Sequence, residues 1–377
     1  MILLTNFSIK KFRVFFLVII SLSGCQGTNH HAISVTDNSP VVTKKLLTAA
    51  LPFTNLSGTP APLEDIRHLL INSFKQQGLN IVDEEVVERF LTRHRIRYLG
   101  GINRATARDL KWETGADAVL ITSVELYKEE LPPRMALTCR LVSTGNSPEI
   151  LWMDGIGLAG DDSIGLLELS LIEDFQILQN KAVRILSASL RRYLLGESYW
   201  RGSQRAIIKF WPKMFYRSPV FEPGMKYTVA VVPFLNLSEK KFAGEIMALQ
   251  FIRQMKAHEN FVLVEPGLVR QALLQMRIIM DGGISMIDAD SLFSRLHVDL
   301  VLAGEVFNYQ DKQGTTGTPK VEFSALLIER KSREVVWNCR SYHEGDDGVF
   351  FFDWGQIETA YRMASEMVLS ALETMIE

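Results

Sequence analysis

Ala116-Asp117-Ala118-Val119-Leu120 recurs 182 residues later as Val298-Asp299-Leu300-Val301-Leu302. In both places an unbroken apolar run follows an aspartate, the pattern of a strand buried on both faces rather than one. Such a strand sits inside a sheet that carries helices on both sides. Outward from it the likeness continues. Residues 81–127 align with 263–309 without a gap, and fifteen of the forty-seven positions are identical, where background composition would give about three. Leu51-Pro52-Phe53-Thr54-Asn55-Leu56-Ser57 answers Val232-Pro233-Phe234-Leu235-Asn236-Leu237-Ser238, and Arg95-Ile96 with Gly100-Gly101-Ile102 answers Arg277-Ile278 with Gly282-Gly283-Ile284. Gly160-Asp161-Asp162 returns as Gly345-Asp346-Asp347. The period is too long for a solenoid and suits two tandem domains of ordinary size.

Hydrophobic periodicity reads the same way in each copy. A strand (46–53; 227–234) leads to a helix with apolar residues at helical spacing, as at Ile66, Leu69, Leu70 and Phe74. A short strand follows (80–82; 261–264), then two helices about the Gly-Gly turn (84–92 and 105–113; 266–274 and 287–296). Three strands succeed one another (116–127, 134–143 and 149–158; 298–309, 320–330 and 334–343), and a long helix closes each copy (175–193; 357–376). The expected fold class is α/β (α+β): two tandem mixed β-sheet domains with helices on the sheet faces, in β-α-β-α-α-β-β-β-α order. The expected division is a signal peptide over 1–24, a lipidated tether over 25–45, a first domain over 46–195, a connector over 196–226 and a second domain over 227–377.

The amino terminus reads as a secretory signal. Lys10, Lys11 and Arg13 precede the apolar run 14–20, which is shorter than the roughly 20 residues that a membrane span needs. Leu22-Ser23-Gly24-Cys25 resembles a lipobox, which implies cleavage before Cys25 and transfer of a diacylglycerol, carrying palmitate-type chains, to its thiol. Each buried methylene holds the chain by about 0.8 kcal/mol, so the anchor is permanent. Gln26, in place of an aspartate, favours the periplasmic face of the outer membrane. Without the signal, 38 basic side chains stand against 43 acidic ones, so no broad basic face invites nucleic acid. Beyond the anchor only Cys139 and Cys339 remain; they fall at non-equivalent positions of the two copies and read as buried free thiols rather than a disulfide.

The strand-Pro-Phe-x-Asn opening and the Ala-Asp-x-Val-Leu strand resemble the curli-secretion channel lipoprotein family (CsgG) and the amino-terminal domain of TolB, over roughly 45–195 and 226–377. The resemblance implies the mixed-sheet fold. It also implies an envelope role, since the family holds pore-forming secretion channels and activators of cell-wall synthases. Channel-type members insert long hairpins whose crossing strands need about 9–11 residues each. The corresponding turns here, 128–133 and 310–319, are too short.

No residue constellation points to an enzyme. Asp161-Asp162 and Asp346-Asp347 invite a metal or acid–base reading, but adjacent residues at a strand end diverge. Their place between a strand and a helix suits turn formation. The histidines (30, 31, 68, 94, 258, 297 and 343) have no zinc-site spacing, and Gly100-Gly101 and Gly282-Gly283 lack the rest of a phosphate loop. Ser57 and Ser238 read as turn residues. No cofactor and no catalytic residue is expected.

What remains is a surface. The connector interleaves basic residues, among them Arg205 and Lys209, with Trp200, Phe210 and Trp211, a pattern for a lipid headgroup region or an anionic partner. The plainer alternative is a linker that packs its rings against both domains and leaves its charges wet. The aromatic run 350–354, with Phe351 and Trp354, is a second candidate for association. The expected protein is a non-enzymatic outer-membrane lipoprotein, a binding or assembly component with an envelope protein partner or a second copy of itself. Membership of an export channel and action on cell-wall polymer are the alternatives.

Overall fold

The central strand of each sheet forms where consecutive apolar residues leave no polar face to turn toward water. A computed structural model describes residues 45–162, 171–197, 210–278, 283–312, 314, 317–347 and 356–376. In the first repeat the chain runs β1 (Leu47–Ala50), β2 (Thr54–Asn55), α1 (Leu63–Gln76), β3 (Asn80–Ile81), α2 (Glu84–Arg93), α3 (Arg104–Thr114), β4 (Ala118–Lys128), β5 (Arg134–Ser143), β6 (Ile150–Ala159) and α4 (Phe175–Leu194). After β7 (Met214–Arg217) the second repeat gives β8 (Tyr227–Val231), β9 (Leu235–Asn236), α5 (Ala243–Met255), β10 (Phe261–Leu263), α6 (Pro266–Met276), α7 (Met286–Leu296), β11 (Leu300–Gln310), β12 (Lys320–Glu329), β13 (Val335–Glu344) and α8 (Ala360–Ile376).

The sheets have matching topology, β3-β1-β4-β5-β6 and β10-β8-β11-β12-β13-β7. The pairs β1–β3 and β1–β4 are parallel, whereas β4, β5 and β6 form an antiparallel meander. Both faces of β4 are buried: Leu120 and Val124 pack with residues of α1 and α4, and Val119 and Ile121 with residues of α2 and α3. The second repeat does the same with Leu300 and Leu302 on one side and Val301 and Ala303 on the other. Side-chain caps start the helices where sequence supplies them, as Asp83 for α2, Asp174 for α4 and Ser285, in a capping box with Asp288, for α7.

The expected first strand of each repeat is interrupted. Pro52 and Pro233 have no N–H to give the ladder, so β1 and β8 end early and pairing with the central strand resumes at β2 and β9. The last helix starts at Ala360 rather than 357, because Ile357 still extends the strand-end turn through its N–H to Gly345 O. The connector, read from sequence as a binding surface or a plain linker, contributes β7, an antiparallel edge strand on β13.

The repeats pack asymmetrically, and both belong to one compact unit. Helices α5 and α8 cover their own sheet and also the face of β5–β6 that carries Ala136 and Met153. Glycine makes room there: a Cβ on Gly155 would lie 2.0 Å from Tyr361 Oη, and one on Gly157 2.7 Å from Tyr361 Cδ1. At the corresponding places in the second sheet stand Arg340, opposite Ser324, and Tyr342, opposite Glu322, and both are exposed.

Candidate functional site

Phe210 of the connector is buried edge-on to His343 at a centroid distance of 5.2 Å. His343 Nε2 lies 2.8 Å from Trp211 O and its Nδ1 2.7 Å from Asp347 Oδ2, which ties the connector to the end of β13. Phe210 is therefore a core residue, a correction to its expected place on the surface: its ring fills space beside β13 that the connector would otherwise leave open. Trp211 keeps 36% of its surface and meets Phe215 edge-on at 6.0 Å. Next along the chain Met214, Phe215 and Tyr216 are 64%, 49% and 49% exposed on β7. Three neighbouring apolar residues of one strand in water is an unusual arrangement for a surface. Lys213 is exposed just before them and Arg217 half-buried just after, its Nη1 donating to Met375 O at 3.3 Å.

The paired aspartates do not converge. Asp162 Oδ2 accepts from Ala159 N at 2.8 Å and closes the turn, while Asp161 Oδ2 accepts from Lys312 Nζ at 2.9 Å. Lys312 comes from the second repeat and also reaches Glu358 Oε2 at 2.5 Å. Burial alone would lower the Lys312 ammonium, but its hydrogen bonds to Glu358 and Asp161 outweigh that and raise it. Burial raises Asp162, against its bond from Ala159 N and the charge of Arg362. In the second repeat Asp347 holds His343. Among the described residues no group of three His, Cys, Asp or Glu side chains stands ready for a metal ion, and no helix is long and apolar enough to cross a membrane.

Two further polar clusters lock the seam between the repeats. Glu265 caps α6 and takes Arg140 Nε and Nη2 at 3.2 Å each, and Arg140 is itself buried. Around this pair Gly101 and Gly267 pass back to back, so close that a Cβ on Gly267 would come within 2.4 Å of Ile102 N and O. The second cluster surrounds Glu125, which sits in a β-bulge of β4. Its Oε1 accepts from Ser123 Oγ at 2.5 Å, whereas Oε2 is buried without a partner. Lys240, across the seam, donates to the main-chain oxygens of Ser57 and Glu125 at 2.6 and 3.2 Å and not to the carboxylate. Desolvation pushes the Glu125 carboxyl up to about 8. A cleft of about 530 Å³ opens beside Lys240, lined by Thr59, Lys128, Tyr309 and Asp311 among others.

Of the residues singled out from sequence, Cys25 with Leu22, Ser23 and Gly24, and Trp200, Arg205, Lys209, Phe351 and Trp354, lie outside the described residues. Cys139 and Cys339 are both buried and free, and burial raises both thiols. Sequence reasoning missed the seam altogether. Its one available signal was the loss of repeat symmetry at Gly155, Gly157 and Gly267, whose counterparts are Arg340, Tyr342 and Glu85.

No family model and no curated protein matches the chain. Solved structures do. The PelC dodecamer of Paraburkholderia phytofirmans is 21% identical over 42% of this chain and 92% of its own, with a TM-score of 0.30. The lipoprotein GNA1162 of Neisseria meningitidis is 17% identical over 38% of this chain and 99% of its own, at 0.27. The LpoB carboxy-terminal domain of Salmonella enterica is 15% identical over 32% and 85%, at 0.25.

Proposed function

We propose that this chain is a non-enzymatic, lipid-anchored envelope protein on the periplasmic face of the outer membrane, where it binds or assembles a partner through the connector strand. The observation that carries this reading is β7, whose Met214, Phe215 and Tyr216 lie about half or more exposed beside the half-covered ring of Trp211. Exposed apolar residues gathered on one strand mark an association surface far more often than a free one. The lipobox ending at Cys25 supports the location, and the strand-Pro-Phe-x-Asn and Ala-Asp-x-Val-Leu stretches support kinship with the CsgG and TolB domains. A permanent anchor serves such a role, because it confines the surface to one compartment and raises its effective concentration there.

Two measurements test it. Cys25→Ser leaves the chain in the soluble periplasmic fraction instead of the outer membrane; retention in the membrane would remove the anchor from the argument. A photo-crosslinking amino acid at Trp211 captures, in living cells, an envelope protein that the same probe at the exposed Trp112 of α3 does not. Capture of lipid alone counts against a protein partner.

A further inference from the structure

We infer that the open edge of β7 takes an extended, acid-flanked strand of a partner protein, by adding it to the second sheet. This rests on the proposal that the connector strand is the binding surface, and it specifies the geometry and chemistry of what binds.

The direction of the backbone decides the first point. Ser218 N donates to Val336 O at 2.8 Å, and the ladder pairs Arg217 with Trp337, Tyr216 with Asn338, Phe215 with Cys339 and Met214 with Arg340. In an antiparallel pair the hydrogen-bonded positions alternate. Tyr216 and Met214 therefore turn their N–H and C=O toward β13, as Ser218 does, and Phe215 and Arg217 turn theirs outward. Among the described residues no strand pairs with that outer edge. Natural edges are commonly blunted by shortness, a bulge, an inward charge or a proline within the strand; Met214–Arg217 is short and the Arg217 side chain turns inward to Met375 O, but the strand carries no bulge and no proline, and Pro219 comes only after it ends.

The side chains supply the second point. Phe215 lies on one face of the strand and Met214 and Tyr216 on the other, all exposed, so an added strand finds apolar neighbours above and below the sheet. Lys213 and Arg217 bracket the apolar positions, and between residues 210 and 226 the only acidic side chain is Glu222. The edge is thus short, apolar at its centre and positive at its ends. Its complement is an extended segment with small apolar or β-branched residues in the middle and carboxylates flanking them.

The test uses the purified full chain in detergent and a fluorescent nonapeptide that alternates valine and threonine between terminal glutamates, with fluorescence anisotropy as readout. The glutamate-ended peptide binds, and a version with lysines at its ends binds at least tenfold more weakly. Lys213→Glu narrows that preference. Phe215→Pro deletes the outward N–H and abolishes binding, whereas Phe215→Ala, which keeps it, retains measurable binding. Equal binding of the two peptides to the natural chain, or undiminished binding to a folded Phe215→Pro chain, overturns the inference. If Phe215→Pro does not fold, the peptide preference and its response to Lys213→Glu still decide. Binding to phosphatidylglycerol vesicles that Phe215→Pro leaves intact, with no peptide binding, places a membrane on this surface and also overturns it. Failure of the peptide alongside continued protein capture from Trp211 refutes the strand but not the proposed binding role.

Discussion

Glu125 sits in an environment that its neighbours in sequence do not announce. It stands between Val124 and Leu126 on the central strand, and its counterpart in the second repeat is Phe307, half-buried beneath Arg340. Helices of the second repeat cover it instead. Lys240, Arg253, Tyr309 and Tyr361 approach from that repeat, yet the guanidinium of Arg253 is committed to Gly155 O, Gln250 Oε1 and Ser365 Oγ. The carboxyl accordingly keeps its proton to about pH 8, against an ordinary 4.5. Between those values the folded chain binds one proton more than the unfolded one, so Glu125 makes stability fall as pH rises from about 4.5 to about 8 and adds no slope above that. Glu125→Gln removes this contribution while keeping the shape. Urea unfolding at pH 5.5 and 8.5 is expected to give a smaller loss across that interval in the variant; equal losses in both proteins would mean that the carboxyl is already ionised when folded. The local sequence holds no trace of this burial, because what buries Glu125 is more than a hundred residues away.

At the scale of the element, most of the fold was legible. The strand 134–143 runs as expected, α2 begins at the expected residue and α3 one residue earlier than expected, and the two buried central strands follow from their unbroken apolar runs. The connector was not legible in the same way. Met214-Phe215-Tyr216-Arg217 has no alternation and acquires its strand conformation by pairing with β13, a tertiary cause that propensity cannot report. Nor could composition separate Phe210 from Trp211, two adjacent rings with opposite fates. Phe210→Ala empties a fully buried site and is expected to cost about 3–5 kcal/mol. Trp211→Ala removes a ring that is already over a third exposed, and the main-chain oxygen that His343 holds survives the change; it is expected to cost less than Phe210→Ala, about 1–2 kcal/mol. Denaturant midpoints at constant slope measure both. Similar losses in the two variants would put Trp211 in the core and remove it from the binding surface.

For the whole molecule, a duplicated sequence has become an unequal pair. One sheet face of the first repeat is built of small residues and receives α5 and α8, while the corresponding face of the second repeat carries Arg340, Glu322 and Tyr342, with Arg340 Nη2 2.7 Å from Glu322 Oε1. In the second repeat side chains occupy the room that Gly155 and Gly157 leave open in the first. Merged packing of this kind predicts that residues 45–377 unfold as one cooperative unit rather than as two domains, with calorimetric and van't Hoff enthalpies in agreement. Gly267 is the place to break it. Alanine there gains up to about 1 kcal/mol of helix propensity in α6, but its Cβ meets the main chain of Ile102, which has no side-chain end to swing away. Overpacking against backbone costs about 3 kcal/mol, so the seam is expected to lose roughly 2 kcal/mol net and the single heat-capacity peak to broaden or divide. Glu85→Ala, at the matching position of the first repeat, alters an exposed helix start and is expected to stay within about 0.5 kcal/mol. If Gly267→Ala leaves both the midpoint and the width of the transition unchanged, the repeats are held by something other than the close approach of these two turns.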